Sequence, residues 1–258
     1  MAMSDAMMAR YPSLAGRPVL VSGGATGIGE AMVRAFAAQG AKVGFVDLAE
    51  AEGMALAEEL AGMGASVAFH ACDITDIAAY REAIAAIEAL QGPTMALVNN
   101  AASDTRHDWR AVTPEYFDAR VAVNLRHSFF AIQAVAPGMI AAGGGAIVNL
   151  GSIGWMKASG GYPAYAASKA AVHGMTRSFA RDLGKHGIRV NTLVPGWVMT
   201  KRQLELWVDD AANAEIDANQ CLAGRVLPDD IARMALFLSA DDSMMCTAQN
   251  FVVDGGWV

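Results

Sequence analysis

Tyr165, Lys169 and Ser152 are the residues whose types and spacing suit proton transfer. Tyr165-Ala166-Ala167-Ser168-Lys169 lies near the start of a helical stretch, with Pro163 suited to its first turn. A separation of four puts the phenol and the ammonium on one face. A free phenol has a pKa of about 10 and is a poor base at neutral pH, whereas a nearby ammonium favours phenolate. Lys169 is therefore expected to lower Tyr165 toward a working range, where it takes the hydroxyl proton of an alcohol or returns it to a carbonyl. Tyr-x-x-x-Lys alone is common in any helix that carries a solvated lysine. Ser152 gives the pair its weight, because it ends an apolar strand thirteen residues earlier, at the sheet edge where such folds bind ligands. Its hydroxyl suits holding a substrate oxygen.

Elements must hold these groups together. Short β-rich runs predict seven strands, at 18–22, 42–47, 67–72, 95–99, 146–150, 189–194 and 250–253. Helical patterns fall between them at 29–38, 51–61, 78–90, 114–140 and 165–185. Most of the strand runs are continuously apolar, as strands covered by helices on both faces are. Alternation of the two types implies a single-domain Rossmann fold, a doubly wound seven-stranded parallel sheet. The 258 residues show no Pro/Ser-rich linker, so one domain, 1–258, is expected. The less regular stretch 197–223 suits a substrate flap, with an ordinary insertion as the alternative.

The first strand runs directly into Ser22-Gly23-Gly24-Ala25-Thr26-Gly27-Ile28-Gly29, with a helix following at once. Glycines at 23, 27 and 29 allow a tight turn, and the helix start offers N–H groups and partial positive charge to a pyrophosphate. Asp47 ends the second strand 18 residues after Gly29, near the spacing of an acid that reads an adenosine ribose. Its carboxylate would accept from the 2′- and 3′-hydroxyls of NAD and repel the 2′-phosphate of NADP by roughly 1 to 4 kcal/mol. Asp73 follows the third strand and suits an adenine contact. Asn99 and Asn100 close the fourth strand at the expected crevice.

Other functions are poorly served. A formal net charge of -7 without a run of Lys/Arg gives no footprint for nucleic acid. Gly and Ala break the apolar stretches short of a membrane span, and residues 1–14 lack the apolar core of a signal peptide, so a cytoplasmic protein is expected. Cys72, Cys221 and Cys246 form no CxxC pair. His70, His107, His127, His173 and His186 are scattered, so no metal site is expected.

Taken in order, the turn at Gly23 to Gly29, Asp73, Asn99-Asn100-Ala101, Asn124, Ser152, Tyr165 with Lys169, and Pro195-Gly196 resemble the short-chain dehydrogenase/reductase family over nearly the whole chain. Ser22 stands where Thr is usual, keeping a hydroxyl, and Ala102 stands where Gly is usual, adding a methyl beside the cofactor. The resemblance implies an NAD-dependent oxidoreductase with Asn124, Ser152, Tyr165 and Lys169 as its catalytic set. It implies a cofactor set of Gly23, Thr26, Gly27, Ile28, Gly29, Asp47, Asp73, Ile74, Asn100, Tyr165, Lys169, Pro195, Val198 and Thr200. Within these, Lys169 would bind the nicotinamide ribose, Asn124 would anchor a proton-relaying water, and Thr200 would grip the carboxamide. It implies a homotetramer that pairs the long fourth and fifth helices and packs the last strand.

Tyr11-Pro12-Ser13-Leu14, Asn124-Leu125-Arg126-His127, the stretch Gln133 to Met139, Thr200 to Gln203 and Gln220-Cys221-Leu222 are similar to bacterial aldose 1-dehydrogenases of the xylose type. That likeness implies oxidation of a monosaccharide at C1 to its lactone. Arg106, His107, Trp155, Trp197 and Gln220 join Ser152 and Tyr165 as candidate sugar contacts; loop structure or a subunit contact is the plain alternative for each of the five. The rival readings are a reductase of a ketone or 3-oxoacyl thioester, and a silent NAD-binding regulator. Asp47 and the acidic balance count against the first, and the complete catalytic set against the second.

Overall fold

The computed structural model describes residues 9–258, so the first eight residues of the N-terminal stretch read above lie outside the described residues. Seven parallel strands form one sheet: β1 Pro18–Ser22, β2 Lys42–Asp47, β3 Ser66–Ala71, β4 Ala96–Asn99, β5 Gly145–Leu150, β6 Ile188–Pro195 and β7 Asn250–Val253. Their order is β3-β2-β1-β4-β5-β6-β7. The chain leaves β1 toward β2 and β3 on one side, then returns to pair β4 on the other. Diverging loops at this reversal open a crevice at the carboxyl ends of β1 and β4.

Alternate strand residues explain the continuous apolar runs. Val19, Val21, Val43, Phe45 and Val98 pack against α1 (Gly27–Ala38), α2 (Glu50–Gly62) and α9 (Pro228–Ser239) on one face. Leu20, Val46, Leu97 and Ile147 meet α3 (Ile77–Gln91), α5 (His127–Ala141) and α6 (Pro163–Leu183) on the other. Both faces exclude water, so neither alternate set is polar. Among the described residues, no helix is long and apolar enough to cross a membrane.

Four of the expected strands shift or change at an end by a residue: β3 spans Ser66–Ala71, β4 begins at Ala96, β5 begins at Gly145, and β6 spans Ile188–Pro195. The helix expected at 114–140 is divided. It forms α4 (Pro114–Val121), a wider i→i+5 turn at Ala122–Arg126, and then α5. Asn124 accounts for the interruption. Its Nδ2 donates to Arg120 O at 2.9 Å and to Ser103 O at 3.1 Å, while its Oδ1 accepts from Ser103 N at 2.8 Å. The amide thus takes the carbonyl four residues back and binds the loop after β4, at a site only 1% exposed. Such widened turns recur where a helix serves a site.

The stretch 197–223 carries two short helices, α7 (Lys201–Leu206) and α8 (Asp210–Asn219), which stand over the crevice.

Candidate active site

The Gly-rich turn is braced from three strands. Gly23 N donates to Val46 O at 2.8 Å. Asn100 Nδ2 donates to Ser22 O and Gly23 O at 3.0 and 2.8 Å, and Ser22 Oγ accepts from Asn100 N at 3.1 Å. Asp47 completes the brace, its Oδ2 accepting from Ala25 N at 2.9 Å and its Oδ1 from Ala49 N at 3.0 Å. Gly29 has no room for a side chain, since a Cβ there would lie 1.8 Å from Gly23 O. Gly23 and Gly27 have φ of +67° and +60°, in the left-handed region that favours glycine.

Thr26 precedes α1 without a side-chain cap, so the first N–H groups of the helix are left for an anion. The cradle fits a dinucleotide pyrophosphate. It opens into a cleft of roughly 1420 Å³ lined by Gly23, Thr26, Gly27, Ile28 and Gly29. Asp47, Asp73, Ile74 and Asn100 also line this cleft. Asp73 Oδ1 accepts from Thr75 N and Oγ1 at 2.8 and 2.7 Å. Pro195, Val198 and Thr200 line the far side of the cleft, with Thr200 Cγ2 3.4 Å from where a Gly27 Cβ would stand.

Ser152, Tyr165 and Lys169 reach the same cleft from the end of β5 and the first turns of α6. Ser152 Oγ accepts from Gly154 N at 3.0 Å, which orients the hydroxyl. Lys169, 3% exposed, donates from Nζ to Leu150 O at 2.7 Å and lies 5.9 Å from the Tyr165 ring centroid. Burial draws its pKa from 10.5 to about 8. In the protein alone, burial opposes the lowering of Tyr165 expected from Lys169. Burial pushes the phenol above its ordinary value, a hydrogen bond from Ser152 opposes that rise, and the Asp104 charge adds to it. The reason is that desolvation acts on the hydroxyl directly, while the Lys169 ammonium spends its bond on a carbonyl.

Asn124 lies behind this group with its side chain committed to Ser103 and Arg120. Of the proposed sugar contacts, Arg106 and Trp197 line the cleft; His107, Trp155 and Gln220 do not. His107 bonds to Tyr116 Oη at 3.1 Å and packs on that ring. Trp155 Nε1 donates to His173 Nε2 at 3.3 Å, and Gln220 Nε2 donates to Leu222 O and Gly224 O at 3.3 and 3.2 Å. These three hold loops in place.

Sequence reasoning missed several cleft residues. Asp104 accepts from Arg202 Nη2 at 3.2 Å and from Gln203 Nε2 at 2.7 Å, joining the loop after β4 to α7. Gln203 Oε1 in turn accepts from Trp197 Nε1 at 3.0 Å. Arg106 stacks 4.3 Å over the Trp207 ring. Partners nearly a hundred residues apart leave no local signal. His127 does not line the cleft: 1% exposed, it is pushed down to about 3 by burial first and Lys169 second, so it stays neutral.

The chain has marked similarity to known proteins. The family described as "Enoyl-(Acyl carrier protein) reductase" matches residues 23–258. D-xylose 1-dehydrogenase of Caulobacter vibrioides is 46% identical over 247 residues, 96% of this chain and 98% of its own. A probable galactose dehydrogenase of Rhizobium meliloti is 44% identical over 248 residues, 96% of this chain and 97% of its own. Among solved structures, a blue fluorescent protein from a metagenomic library, in complex with NADPH, superposes with a TM-score of 0.88 at 34% identity. That likeness covers 95% of this chain and 99% of the other.

Proposed function

This chain belongs to the short-chain dehydrogenase/reductase family of oxidoreductases, and on that premise we propose that it oxidises an aldose at its anomeric carbon to the lactone, with NAD as the hydride acceptor. The observation that carries the reading is the single cleft shared by the uncapped start of α1, the Asp47 carboxylate and the group of Ser152, Tyr165 and Lys169. The xylose and galactose dehydrogenases among the relatives support the substrate class.

In this mechanism the turn at Gly23 to Gly29 and the α1 N-terminus bind the pyrophosphate, and Asp47 accepts from the adenosine-ribose hydroxyls. Asp73, Ile74 and Asn100 flank the adenine side, and Pro195, Val198 and Thr200 flank the nicotinamide. Bound NAD supplies the acceptor for the hydride that leaves the anomeric carbon. Ser152 Oγ holds the anomeric oxygen, and the ionised Tyr165 oxygen takes its proton, so a C–H and an O–H bond break as the lactone C=O forms. Lys169, with a pKa near 8, remains mostly protonated at neutral pH and supplies charge that favours ionised Tyr165. It also binds the nicotinamide ribose. Asn124 fixes the wall beside Ser103 and lies on the outward proton path.

The test is a panel of aldoses, polyols and ketones with NAD and NADP, run in both directions. Aldose turnover with NAD is the expected result. Activity confined to NADPH-dependent reduction of a ketone or 3-oxoacyl thioester overturns it. A homotetramer is part of the same proposal. Phe117 and Phe129 on the helices α4 and α5 are 43% and 44% exposed, and Val252 on the edge strand β7 is 36% exposed, which supports burial against further copies. A monomer by light scattering at micromolar concentration removes that part.

A further inference from the structure

Lys157 lies five residues beyond Ser152, on the connection between β5 and α6. Long lysines ordinarily extend their ammonium into water. This one is drawn inward, its side chain only 15% exposed. Nζ lies 3.9 Å from the Trp257 ring centroid and 5.2 Å from that of Trp197, and it donates to Glu215 Oε1 of α8 at 3.1 Å. Glu215 is half exposed, and an ion pair of that kind contributes little to stability. The arrangement therefore calls for a reason other than holding the fold together.

Lys157, Trp197 and Glu215 all line the cleft that holds Ser152 and Tyr165. Trp197 is fixed in orientation by its bond to Gln203. An ammonium donor, a carboxylate acceptor and an indole face thus converge in the cleft that holds the reacting groups. A polyol has matching chemistry: each hydroxyl both donates and accepts, adjacent hydroxyls can engage a donor and an acceptor together, and the C–H face of a ring packs on an aromatic. Glu215 occupies one of the three Lys157 N–H donors.

Building on the aldose reading above, we propose that Lys157 and Glu215, set against Trp197, determine substrate specificity by binding two adjacent ring hydroxyls of the sugar away from its anomeric carbon. Lys157 donates to one oxygen and Glu215 accepts from the neighbouring hydroxyl. Neither residue takes part in hydride or proton transfer, so their effect is on binding.

The test compares wild type, Lys157→Met and Glu215→Ala on the aldose that wild type turns over fastest and on the deoxy analogues of that aldose. Lys157→Met is expected to raise KM for the parent aldose by about tenfold or more, the usual scale for losing a hydrogen bond to a charged group. Its kcat and its Kd for NAD, read by fluorescence titration, stay close to wild type. On the analogue lacking the contacted hydroxyl, wild type already shows the loss and Lys157→Met adds nothing. A merely structural role would burden every substrate alike. Glu215→Ala, a change at a half-exposed position, gives the same pattern on the adjacent hydroxyl and keeps the test alive if Lys157→Met fails to fold. An aldose KM unchanged from wild type in both variants, or an equal penalty on parent and deoxy sugars, overturns this assignment while the aldose reading stands. Absence of aldose turnover by wild type overturns both.

Discussion

Tyr165→Phe is expected to lower kcat for alcohol oxidation by roughly 10² to 10⁴ while leaving the fold and the affinity for NAD nearly intact. The substitution keeps the ring, and with it the edge-to-face contact with Tyr162 at 5.4 Å, and removes only the oxygen that exchanges the proton. Steady-state kinetics with NAD titration and circular dichroism read the three quantities together. Retention of more than about a tenth of the wild-type kcat would refute Tyr165 as the acid/base, since general acid-base catalysis exceeds that.

The pH profile follows from the same environment. Burial raises the Tyr165 phenol above its ordinary value, so the ionised form needed for oxidation grows as pH rises, and wild-type oxidation should climb from neutral into alkaline solution. Lys169 opposes this at the upper end. With a pKa near 8 it loses its charge as pH passes that value, and the support it gives to ionised Tyr165 weakens. The profile therefore belongs to the pair, and it should rise less steeply than a single tyrosine would. Tyr165→Phe should lose the rising limb altogether.

What the sequence made legible was local. The turn at Gly23 to Gly29, Asp47 at a strand end and the four-residue step from Tyr165 to Lys169 each declare themselves within one strand-turn-helix or one helical turn. The parallel sheet was legible for a related reason: a strand such as Val19-Leu20-Val21, apolar on both sides, has no place except between two helical layers. Features built from distant partners were not. Asn124 interrupts its helix because of Ser103, twenty-one residues away, and the periodicity around it gives no hint of that pairing. Lys157 carries no motif of its own in the sequence, and it is α8 that brings Glu215 beside it, 58 residues on. Arg106 and Trp197 shared their reading with His107, Trp155 and Gln220, yet the two sets part company once loops are placed. Residue type says what a side chain offers, and only the packing of the loops says to which cavity it is offered.

Asp47 should make the enzyme prefer NAD over NADP by at least about tenfold in kcat/KM, because even a solvent-screened repulsion of ~1 kcal/mol on a 2′-phosphate adds to the lost ribose hydrogen bonds. The neighbours offer no relief: Leu48 and Ala49 follow it, and Glu52 of α2 lines the same cleft. The structure shows that the carboxylate has a second task. Both of its oxygens already accept from the backbone, at Ala25 and Ala49, and each retains acceptor capacity for a ribose hydroxyl. Asp47→Ala therefore loosens the phosphate-binding turn as well as removing the ribose contact, and efficiency with either cofactor is exposed to that loosening. The ratio separates the two tasks. Loss of the turn brace weakens NAD and NADP alike, whereas loss of the charge relieves NADP alone, so NAD efficiency should fall further than NADP efficiency and the preference should shrink. A fall in both with the ratio unchanged would assign Asp47 to the turn only. Equal use of both cofactors by wild type would remove the proposed charge discrimination before any substitution is made.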